Sequence, residues 1–377
     1  MLWFWLFVGP ALLLALRSLA GERERAAYTR QRLSKQPERL PPASVIVPVK
    51  GHDEGLRENL AALAALDYPD YELVITAHSA HDIPPGVLPH RAKVVLAHTD
   101  PSSASEKVVN LLAAVQGTRK RTEVFAFADS DGRVTAGWLR ALVAPLAEEG
   151  VAATTGYRWF TPRRPGWALL RSVWDAVAAG TLGPGDNRFA WGGAMAIHKE
   201  MFFQTRVPEH WKNAISDDYA LSNAVHQAGL AIAYAPGALV PCLESITGRR
   251  LLAWMRRQMM ITRAYNPRIW WPGLIAHVIY CGAMVAAGFA IARGHRLAAL
   301  ALAAQLAPGM LKGWLRMHHA RHVLPEYARW FRRWGWVHVA AVPVATWLWL
   351  MALGSSAFGH TIHWRGYRYN LKMARPV

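Results

Sequence analysis

Cysteine and acidic residues are scarce in this chain of 377 residues. It has two cysteines, Cys242 and Cys281, and 25 aspartates and glutamates against 43 lysines and arginines, for a formal charge of +18. Two distant cysteines in no metal-ligand spacing argue against a disulfide framework and against a cysteine metal site. A strongly basic chain is also compatible with nucleic-acid binding, but the usual nucleic-acid-binding motifs are missing. We therefore expect no nucleic acid among the partners.

Hydrophobic residues, in contrast, make up 53% of the chain. Residues 2–16 form an uncharged apolar run, which is short for a membrane span. A cleaved signal peptide, with residues 18–20 as the cleavage site, is the alternative, but it would carry basic residues before the run rather than after it. Seven basic residues follow the run by residue 39. The positive-inside rule then predicts an uncleaved transmembrane anchor at 1–20, a basic juxtamembrane segment at 21–39 and a cytoplasmic domain after it.

A second apolar block fills the last third of the chain. Its candidate spans are about 272–292, 297–316 and 336–356, and the first two are separated by a short basic turn that predicts a hairpin. The pattern leaves the number of spans and the side of the tail open. We expect an amphipathic interface helix at 249–270, transmembrane helices at 271–356 and a basic C-terminal tail at 357–377.

The middle of the chain, residues 40–248, has the pattern of a folded soluble domain. Short β-branched runs alternate with amphipathic helices at 58–66 and 107–115. This alternation predicts an α/β domain with a mainly parallel sheet, in which ligands bind beyond the carboxyl ends of the strands. The predicted strands are 44–49, 71–76, 92–96 and 124–128.

The fourth predicted strand runs directly into Asp129-Ser130-Asp131-Gly132. Two carboxylates one residue apart in a turn can both point the same way and offer hard oxygen ligands to Mn2+ or Mg2+. A simpler interpretation is that they only cap the turn, because Asp-Gly is a common turn pair. The residues alone leave both interpretations open.

The order of the motifs resembles that of family 2-type glycosyltransferases with the GT-A fold. Within that group the chain is most similar to ceramide glucosyltransferases and their bacterial relatives, such as hopanoid-associated glycosyltransferases. The resemblance covers nearly the whole chain, and it implies a GT-A nucleotide-sugar-binding domain flanked by N-terminal and C-terminal transmembrane or interfacial helices. The stretches that carry it are Val47–Gly51 with residues 60–71, His78–Asp82, Lys107–Asn110, Asp129–Asp131, Ile215–Tyr219 and Ile362–Tyr369.

The resemblance assigns roles to individual residues. Asp218 is the expected catalytic base, and Asp129 and Asp131 are the expected ligands of Mn2+ or Mg2+. For some of these residues a purely structural role remains open: a loop turn for Asp82, a helix N-cap for the 217–218 pair, and a tight turn at 192–194. The expected donor-binding residues are Lys50, Asp82, Lys107, Asp129 and Arg257, those lining the acceptor and donor sugar are Gly192, Gly193 and Asp217, and those of the tail are Trp364 and Arg365.

One motif departs from the family pattern. The family carries a [Gln/Arg]-x-x-Arg-Trp sequence on an interface helix, whereas the corresponding window here starts with Arg257 and has Met260 and Ile261 in place of Arg and Trp. The candidates to supply the missing charge are Arg256, Arg263 and Arg365.

Together these features predict an enzyme that moves one sugar from a UDP-sugar to the hydroxyl of a membrane lipid, with inversion and with a divalent metal. It would be an integral protein of a bacterial inner membrane with a cytoplasmic catalytic domain. The alternatives are a processive polysaccharide synthase, a transferase to a non-lipid acceptor, or a catalytically impaired homologue. The sequence does not identify the sugar, the acceptor or the oligomeric state.

Overall fold

The computed structural model describes residues 2–35, 37, 39–98, 104–185 and 189–372. It divides the chain into two compact units, which we call the sheet unit and the helical unit and describe separately. The sheet unit comprises Tyr28–Arg164, Leu182–Ser245 and His360–Val377, and the helical unit comprises Met1–Ala27, Pro165–Thr181 and Ile246–Gly359. The last five residues of the predicted tail lie outside the described residues.

The chain forms nine strands and fourteen α-helices within the described residues, together with three short 3-10 turns. The strands are β1 (Ala43–Pro48), β2 (Tyr71–Ala77), β3 (Ala92–Leu96), β4 (Val124–Ala128), β5 (Val151–Phe160), β6 (Ala194–His198), β7 (Ala231–Cys242), β8 (Thr361–Trp364) and β9 (Tyr367–Asn370). The helices are α1 (Leu2–Ser34), α2 (Leu56–Ala64), α3 (Glu106–Gln116), α4 (Trp138–Val143), α5 (Trp167–Ala179), α6 (Lys199–Gln204), α7 (Val207–Trp211), α8 (Asp217–Gln227), α9 (Gly248–Tyr265), α10 (Pro267–Ala292), α11 (Arg296–Val323), α12 (Ala328–Trp334), α13 (Val337–Ala340) and α14 (Val342–Ser356).

The sheet unit is built on a seven-stranded sheet with the strand order β3-β2-β1-β4-β6-β5-β7. Every pairing is parallel except the two made by β6, which runs antiparallel to both β4 and β5. The predicted α/β fold with a mainly parallel sheet is therefore confirmed. The four predicted strands are also confirmed, each within one residue of its observed bounds.

Burial of apolar side chains explains why these strands and helices form. Val45, Ile46 and Val47 of β1 are fully buried, as expected for a central strand covered on both faces. On α3 the buried Val108 and Leu111 belong to a core cluster that includes Ile46, and their spacing of three residues places them on one face of the helix. The core thus fixes the strand ends, which is where the functional residues lie.

The sequence patterns did not reveal β5, β6 and β7. Pro236, Gly237 and Pro241 interrupt β7, and proline is normally confined to strand edges or bulges. In the structure the β5–β7 pairing shifts register between Thr155 and Tyr157. Gly156 lies in that irregularity, where a side chain would come within 2.1 Å of the carbonyl oxygen of Ala238. The bulge accommodates residues that a regular strand pattern would reject.

The helical unit contains α5, most of α1 and the helices from α9 to α14. Helices α10 and α11 form the predicted hairpin, and Gly294 takes the left-handed conformation, with φ of 83°, at the turn. Small residues allow close packing: Ala283, Ala287 and Ala298 are buried in one cluster with Phe4 and Val8 of α1.

Two helices among the described residues are long and apolar enough to cross a membrane, namely residues 4–34 of α1 and the whole of α10. Helix α10 covers the first candidate span of the C-terminal block. The second candidate span lies in α11, which is long but less apolar, and the third is divided between α13 and α14.

We predict that Gly156→Ala destabilises the sheet unit by about 1–3 kcal/mol, because the added methyl group overlaps the Ala238 carbonyl oxygen. Thermal unfolding of the purified protein measures the effect. Gly137→Ala is the control, since a side chain at Gly137 meets nothing within 4 Å. Equal melting temperatures for the two variants would contradict the close approach.

Candidate active site

The predicted site residues of the sheet unit collect at one edge of the seven-stranded sheet, where the carboxyl ends of the parallel strands meet. Strand β1 leads into Lys50, and the neighbouring strand β4 leads into Asp129. Because β6 is antiparallel to β4, it starts at this same edge, where Ala194 pairs with Ala128 directly after Gly192 and Gly193. The topology thus brings together three segments that are far apart in the sequence.

Lys107, in the first turn of α3, connects two of the predicted carboxylates. Its Nζ atom donates a hydrogen bond to Asp129 Oδ1 at 2.8 Å and lies 3.1 Å from Asp217 Oδ2. Burial lowers the pKa of Lys107, but Asp129, Asp217 and Asp218 raise it by more, so the net shift is upward. Lys107 therefore stays charged and links the end of β4 to the start of α8.

The adjacent residues Asp217 and Asp218 have different environments. Asp217 is buried, and burial together with Asp218 and Asp129 raises its pKa to about 6 even though Lys107 lowers it. Asp218 is only half-buried, and its carboxylate accepts hydrogen bonds from the backbone N–H groups of Tyr219, at 2.7 Å, and of Gly192, at 3.2 Å, and from the Ser216 hydroxyl. Asp218 is thus the more accessible member of the pair and is held in a defined orientation.

The glycine pair forms a tight turn that also lies against these carboxylates. The backbone N–H of Ala194 donates to the Trp191 carbonyl oxygen at 3.0 Å, which closes the turn. A side chain on Gly192 would come within 2.4 Å of Asp217 Oδ2, and one on Gly193 would come within 2.8 Å of Asp129 Oδ2. The structure thus contains the tight turn and places it against Asp217 and Asp129; that the turn also lines the acceptor and donor sugar stays a prediction.

The Asp129–Asp131 segment lies in a group of neighbouring carboxylates that suits a cation. Burial, followed by the nearby carboxylates of Asp129, Asp53 and Glu244, raises the pKa of Asp131 to about 7. The described residues contain no group of three or more His, Cys, Asp or Glu side chains that could hold a metal by themselves. Two carboxylates suffice for a divalent cation that takes its other ligands from water and a bound phosphate. The residues present thus fit Mn2+ or Mg2+ bound together with a diphosphate.

The C-terminal hairpin of β8 and β9 contributes a cation to this site. Arg365, at the hairpin turn with φ of 49°, pairs with Asp53 at 2.5 Å and donates to the Lys50 carbonyl oxygen at 3.2 Å. Burial lowers the pKa of Arg365, but Asp53, Asp131 and Asp129 raise it by more. The Asp129–Asp131 carboxylates are therefore within electrostatic reach of this guanidinium. Trp364 packs edge-on against Tyr369, with ring centroids 6.4 Å apart.

Lys50 and Asp82, two of the predicted donor-binding residues, lie beside the hairpin. Lys50 pairs with Glu106 and lies over the Tyr367 ring at 4.3 Å. Asp82 accepts hydrogen bonds from the Ser79 N–H and hydroxyl, both at 3.0 Å, so its carboxylate stabilises its own turn. The Gly51 N–H also bonds to the Asp82 carbonyl oxygen at 2.7 Å, and this bond places the turn next to the end of β1.

Comparison of the sequence with protein families assigns the chain to a known class of enzymes. The sequence model of glycosyl transferase family 21 matches residues 10–376, which is nearly the whole chain. The chain belongs to glycosyl transferase family 21. It is therefore a glycosyltransferase, and the predicted enzyme class is confirmed. No curated protein sequence matches the chain.

The chain is also similar to several solved structures. The mannosyltransferase PcManGT from Pyrobaculum calidifontis, solved with GDP-Man and Mn2+, is 16% identical, with a TM-score of 0.50 over 93% of this chain and 97% of that one. Glucosyl-3-phosphoglycerate synthase from Mycobacterium tuberculosis, solved with Mn2+, UDP and glucosyl-3-phosphoglycerate, is 14% identical, with a TM-score of 0.40 over 64% of this chain and 83% of that one. The likeness to the first shows that the family 21 chain has the GT-A fold.

Arg257 and the departure at 260–261 lie on α9, in the helical unit. Met260 is buried and Ile261 is half-buried.

The neighbouring arginines already have partners at the end of α14: Arg256 donates to the carbonyl oxygens of Ser355 and Phe358, and Arg263 to those of Ala357 and Gly359. Cations favour the carboxyl end of a helix. Among the three candidates for the missing charge, Arg365 is the one that lies at the sheet edge.

The sequence analysis missed two carboxylates of the site, Asp53 and Glu244. Asp53 follows the end of β1 and accepts a hydrogen bond from the Ser130 hydroxyl at 2.6 Å. Glu244 follows β7, whose end is joined to the Asp129–Asp131 loop by a bridge between Gly132 and Cys242. Asp53 could have been named as a candidate site residue, because it follows a predicted strand closely. Glu244 could not be found because β7 itself was not predicted.

We predict that Asp131→Asn raises the stability of the protein when divalent cations are chelated, because it removes a half-buried carboxylate from a like-charged group. The folded-state pKa is about 7 and thus above the unfolded value, so the destabilisation by Asp131 is largest above about pH 7 and amounts to roughly 1–3 kcal/mol. Thermal unfolding with a chelator at about pH 8 measures this difference, which should shrink on acidification.

Mn2+ should then stabilise the wild type but not Asp131→Asn. Glu149→Gln is the control. Glu149 is an exposed carboxylate, so its replacement should change neither the stability in the chelator nor the stabilisation by Mn2+. A variant at Asp131 that is less stable than the wild type in the chelator would contradict this electrostatic account.

Proposed function

We propose that the chain transfers one sugar from a UDP-sugar to a hydroxyl of a membrane lipid, with inversion at the anomeric carbon. The observation that carries the proposal is the position of Asp218. This accessible carboxylate lies beside a buried network that links Asp217, Lys107 and Asp129 at one sheet edge. That arrangement supplies a base and a diphosphate site at the same edge, and an inverting transfer needs no covalent nucleophile from the protein.

Asp218 would act as the general base of the reaction. Its carboxylate takes the proton of the acceptor hydroxyl while the hydroxyl oxygen forms a bond to the anomeric carbon and the bond from that carbon to the UDP oxygen breaks. The hydrogen bonds from Gly192 and Tyr219 hold the carboxylate in place for this step. The products are the glycosylated lipid, UDP and a proton on Asp218.

Asp129 and Asp131 would hold Mn2+ or Mg2+ together with the diphosphate of the donor. When bound, the metal would neutralise the charge that develops on the leaving diphosphate. Lys107 holds the Asp129 carboxylate in place through its hydrogen bond, and Arg365 adds a planar guanidinium, which suits a phosphate group. The Mn2+ bound with GDP-Man in the mannosyltransferase structure supports this assignment.

The apolar helices support a lipid as the acceptor. On α10, Ile275, Val278 and Val285 are each more than half exposed to solvent, at 56%, 52% and 59%. A protein in water rarely exposes so many large apolar side chains along one helix. We therefore place α1 and α10 in a membrane, which we take to be a bacterial inner membrane. The basic residues that follow the first apolar run favour the cytoplasmic side for the sheet unit.

The decisive experiment is transfer from a panel of UDP-sugars to total membrane lipid with Mn2+ or Mg2+. We expect the wild type to form one new glycolipid carrying a single added sugar. A ladder of products would instead indicate a processive synthase. The absence of product from every donor, together with failure to bind UDP and Mn2+, would indicate an impaired homologue, as the departure at Met260 and Ile261 allows.

We predict that Asp218→Asn abolishes transfer but binds UDP and Mn2+ as the wild type does. The amide keeps the shape of the side chain but cannot take a proton, and loss of a general base lowers the rate by about a hundredfold to ten-thousandfold. Initial rates and UDP titration separate the two properties. Normal turnover by this variant would exclude Asp218 as the base.

We predict that Arg365→Gln weakens UDP binding about tenfold, the size expected when a charge-assisted hydrogen bond to a phosphate is lost. Isothermal titration with UDP and Mn2+ measures the affinity. Arg368→Gln, in the same hairpin, is the matched control, because the Arg368 side chain is exposed and lies on the strand after the turn. If both variants bind UDP equally well, Arg365 does not replace the missing family arginine.

A further inference from the structure

The helical unit contains a cavity of about 310 Å³ that the proposed reaction does not use. Helices α1, α5, α10, α11 and α14 contribute to its walls, so all its lining residues belong to this one unit. Much of the wall is apolar, with side chains such as Leu14, Val173, Val342 and Trp349. The volume is at the lower end of the range for ligand-binding pockets, about 300–1,000 Å³. It therefore has room for a headgroup and the first carbons of a chain, but not for a whole lipid.

Two cations, Lys312 and Arg316, lie one helical turn apart on the α11 wall of this cavity. Lys312 Nζ donates to the Ser18 hydroxyl at 2.6 Å, and Arg316 Nε donates to Glu22 Oε2 at 2.6 Å. Glu22 also accepts a hydrogen bond from Arg25 at 3.0 Å, so two arginines share this one carboxylate, and Lys312 makes its hydrogen bond to a neutral hydroxyl. Among the described residues that line the cavity, none is acidic. The site therefore has net positive charge.

Glycines hold this arrangement in place. A side chain on Gly180 would come within 2.5 Å of the Arg316 guanidinium, and one on Gly313 would come within 1.9 Å of the His338 carbonyl oxygen. Both glycines line the cavity. Arg316, which is 9% exposed as a residue, thus packs its guanidinium against the backbone just after α5, in a position that only glycine permits. A buried arginine held in this way is oriented before any ligand arrives.

We propose that this cavity binds the phosphate ester headgroup of an anionic phospholipid. Arginine and lysine are the side chains that recognise phosphate, and the apolar wall suits the adjoining part of an acyl chain. Ser18 follows the apolar run at 2–16 almost directly, so in a membrane-inserted α1 these cations lie at the depth of the cytoplasmic headgroups. The inference rests on the membrane placement in the proposed function, and it does not use the catalytic assignments.

The test is binding of defined lipids to the full chain, purified in detergent and stripped of lipid. We expect phosphatidylglycerol to bind and to raise the melting temperature. Phosphatidylcholine with the same chains, whose headgroup has no net charge, should bind less well, and inorganic phosphate should have no effect at the same concentration.

Lys312→Gln, which can still bond to Ser18, should bind phosphatidylglycerol about tenfold more weakly. Arg321→Gln, an exposed position on the same helix, should bind like the wild type.

A second variant keeps the test valid if Lys312→Gln does not fold. Ala276→Phe fills the cavity without changing its charge, and it should weaken phosphatidylglycerol binding as well. Asp218→Asn should bind the lipid normally, so failure of the catalytic proposal would be distinguishable from failure of this one. The inference is overturned if phosphatidylcholine or inorganic phosphate binds as tightly as phosphatidylglycerol, or if both cavity variants bind it like the wild type.

Discussion

The arrangement of the carboxylates at the edge of the sheet that carries the candidate site depends on the charge of Lys107. Its ammonium group pairs with Asp129 after β4 and with Asp217 at the start of α8, and it is only 14% exposed. Removing one partner of a buried ion pair leaves an uncompensated charge, which costs about 3–5 kcal/mol. This pairing turns Asp217 inward. Successive residues of a helix project in directions about 100° apart, so Asp218 does not share this pairing, and its carboxylate instead accepts hydrogen bonds from the backbone N–H groups of Gly192 and Tyr219. By fixing Asp217, the lysine also helps to orient the proposed base, to which it makes no direct hydrogen bond in the described residues.

Close backbone approach is the second constraint, and it explains why glycines recur around the site. Gly132 could not carry a side chain, because that side chain would come within 2.4 Å of Val240 in β7. This contact brings the Asp129–Asp131 loop against the end of β7 and, with it, Glu244. Gly192 and Gly193 allow the same approach to Asp217 and Asp129. Gly132 thus brings two carboxylate-bearing segments together, at the cost of an electrostatic repulsion that a bound cation would relieve, whereas Gly192 and Gly193 let the backbone approach single carboxylates closely.

The sequence predicted those parts of the fold and site whose signals are local. The first four strands are rich in β-branched or aromatic residues, and Asp129 follows one of them directly, so the strands and this residue could be predicted from the pattern. Strand β7 could not be predicted, because Pro236 and Gly237 are accommodated by a bulge against β5 and Pro241 by the position of β7 at the edge of the sheet. The partners of Arg256 and Arg263 were also hidden, because nothing local indicates that their side chains bond to the carbonyl oxygens at the end of α14. Long-range pairings of this kind depend on the topology rather than on spacing.

Arg365 in the C-terminal hairpin is our candidate for the charge missing at Met260. The carboxylates of Asp53, Asp129 and Asp131 lie near one another, and Arg365 supplies positive charge to them through its ion pair with Asp53. In the proposed function, the diphosphate of the donor would offer this guanidinium further acceptor oxygens, so the arginine would be paired with an anion both before and after the donor binds. The hairpin turn requires a left-handed backbone at Arg365, a conformation that is uncommon for a residue with a side chain. Such strain persists where the surrounding contacts fix it, here the bonds to Asp53 and Lys50. The family match extends through this tail to residue 376, as expected if the tail belongs to the donor site rather than to a separate appendage.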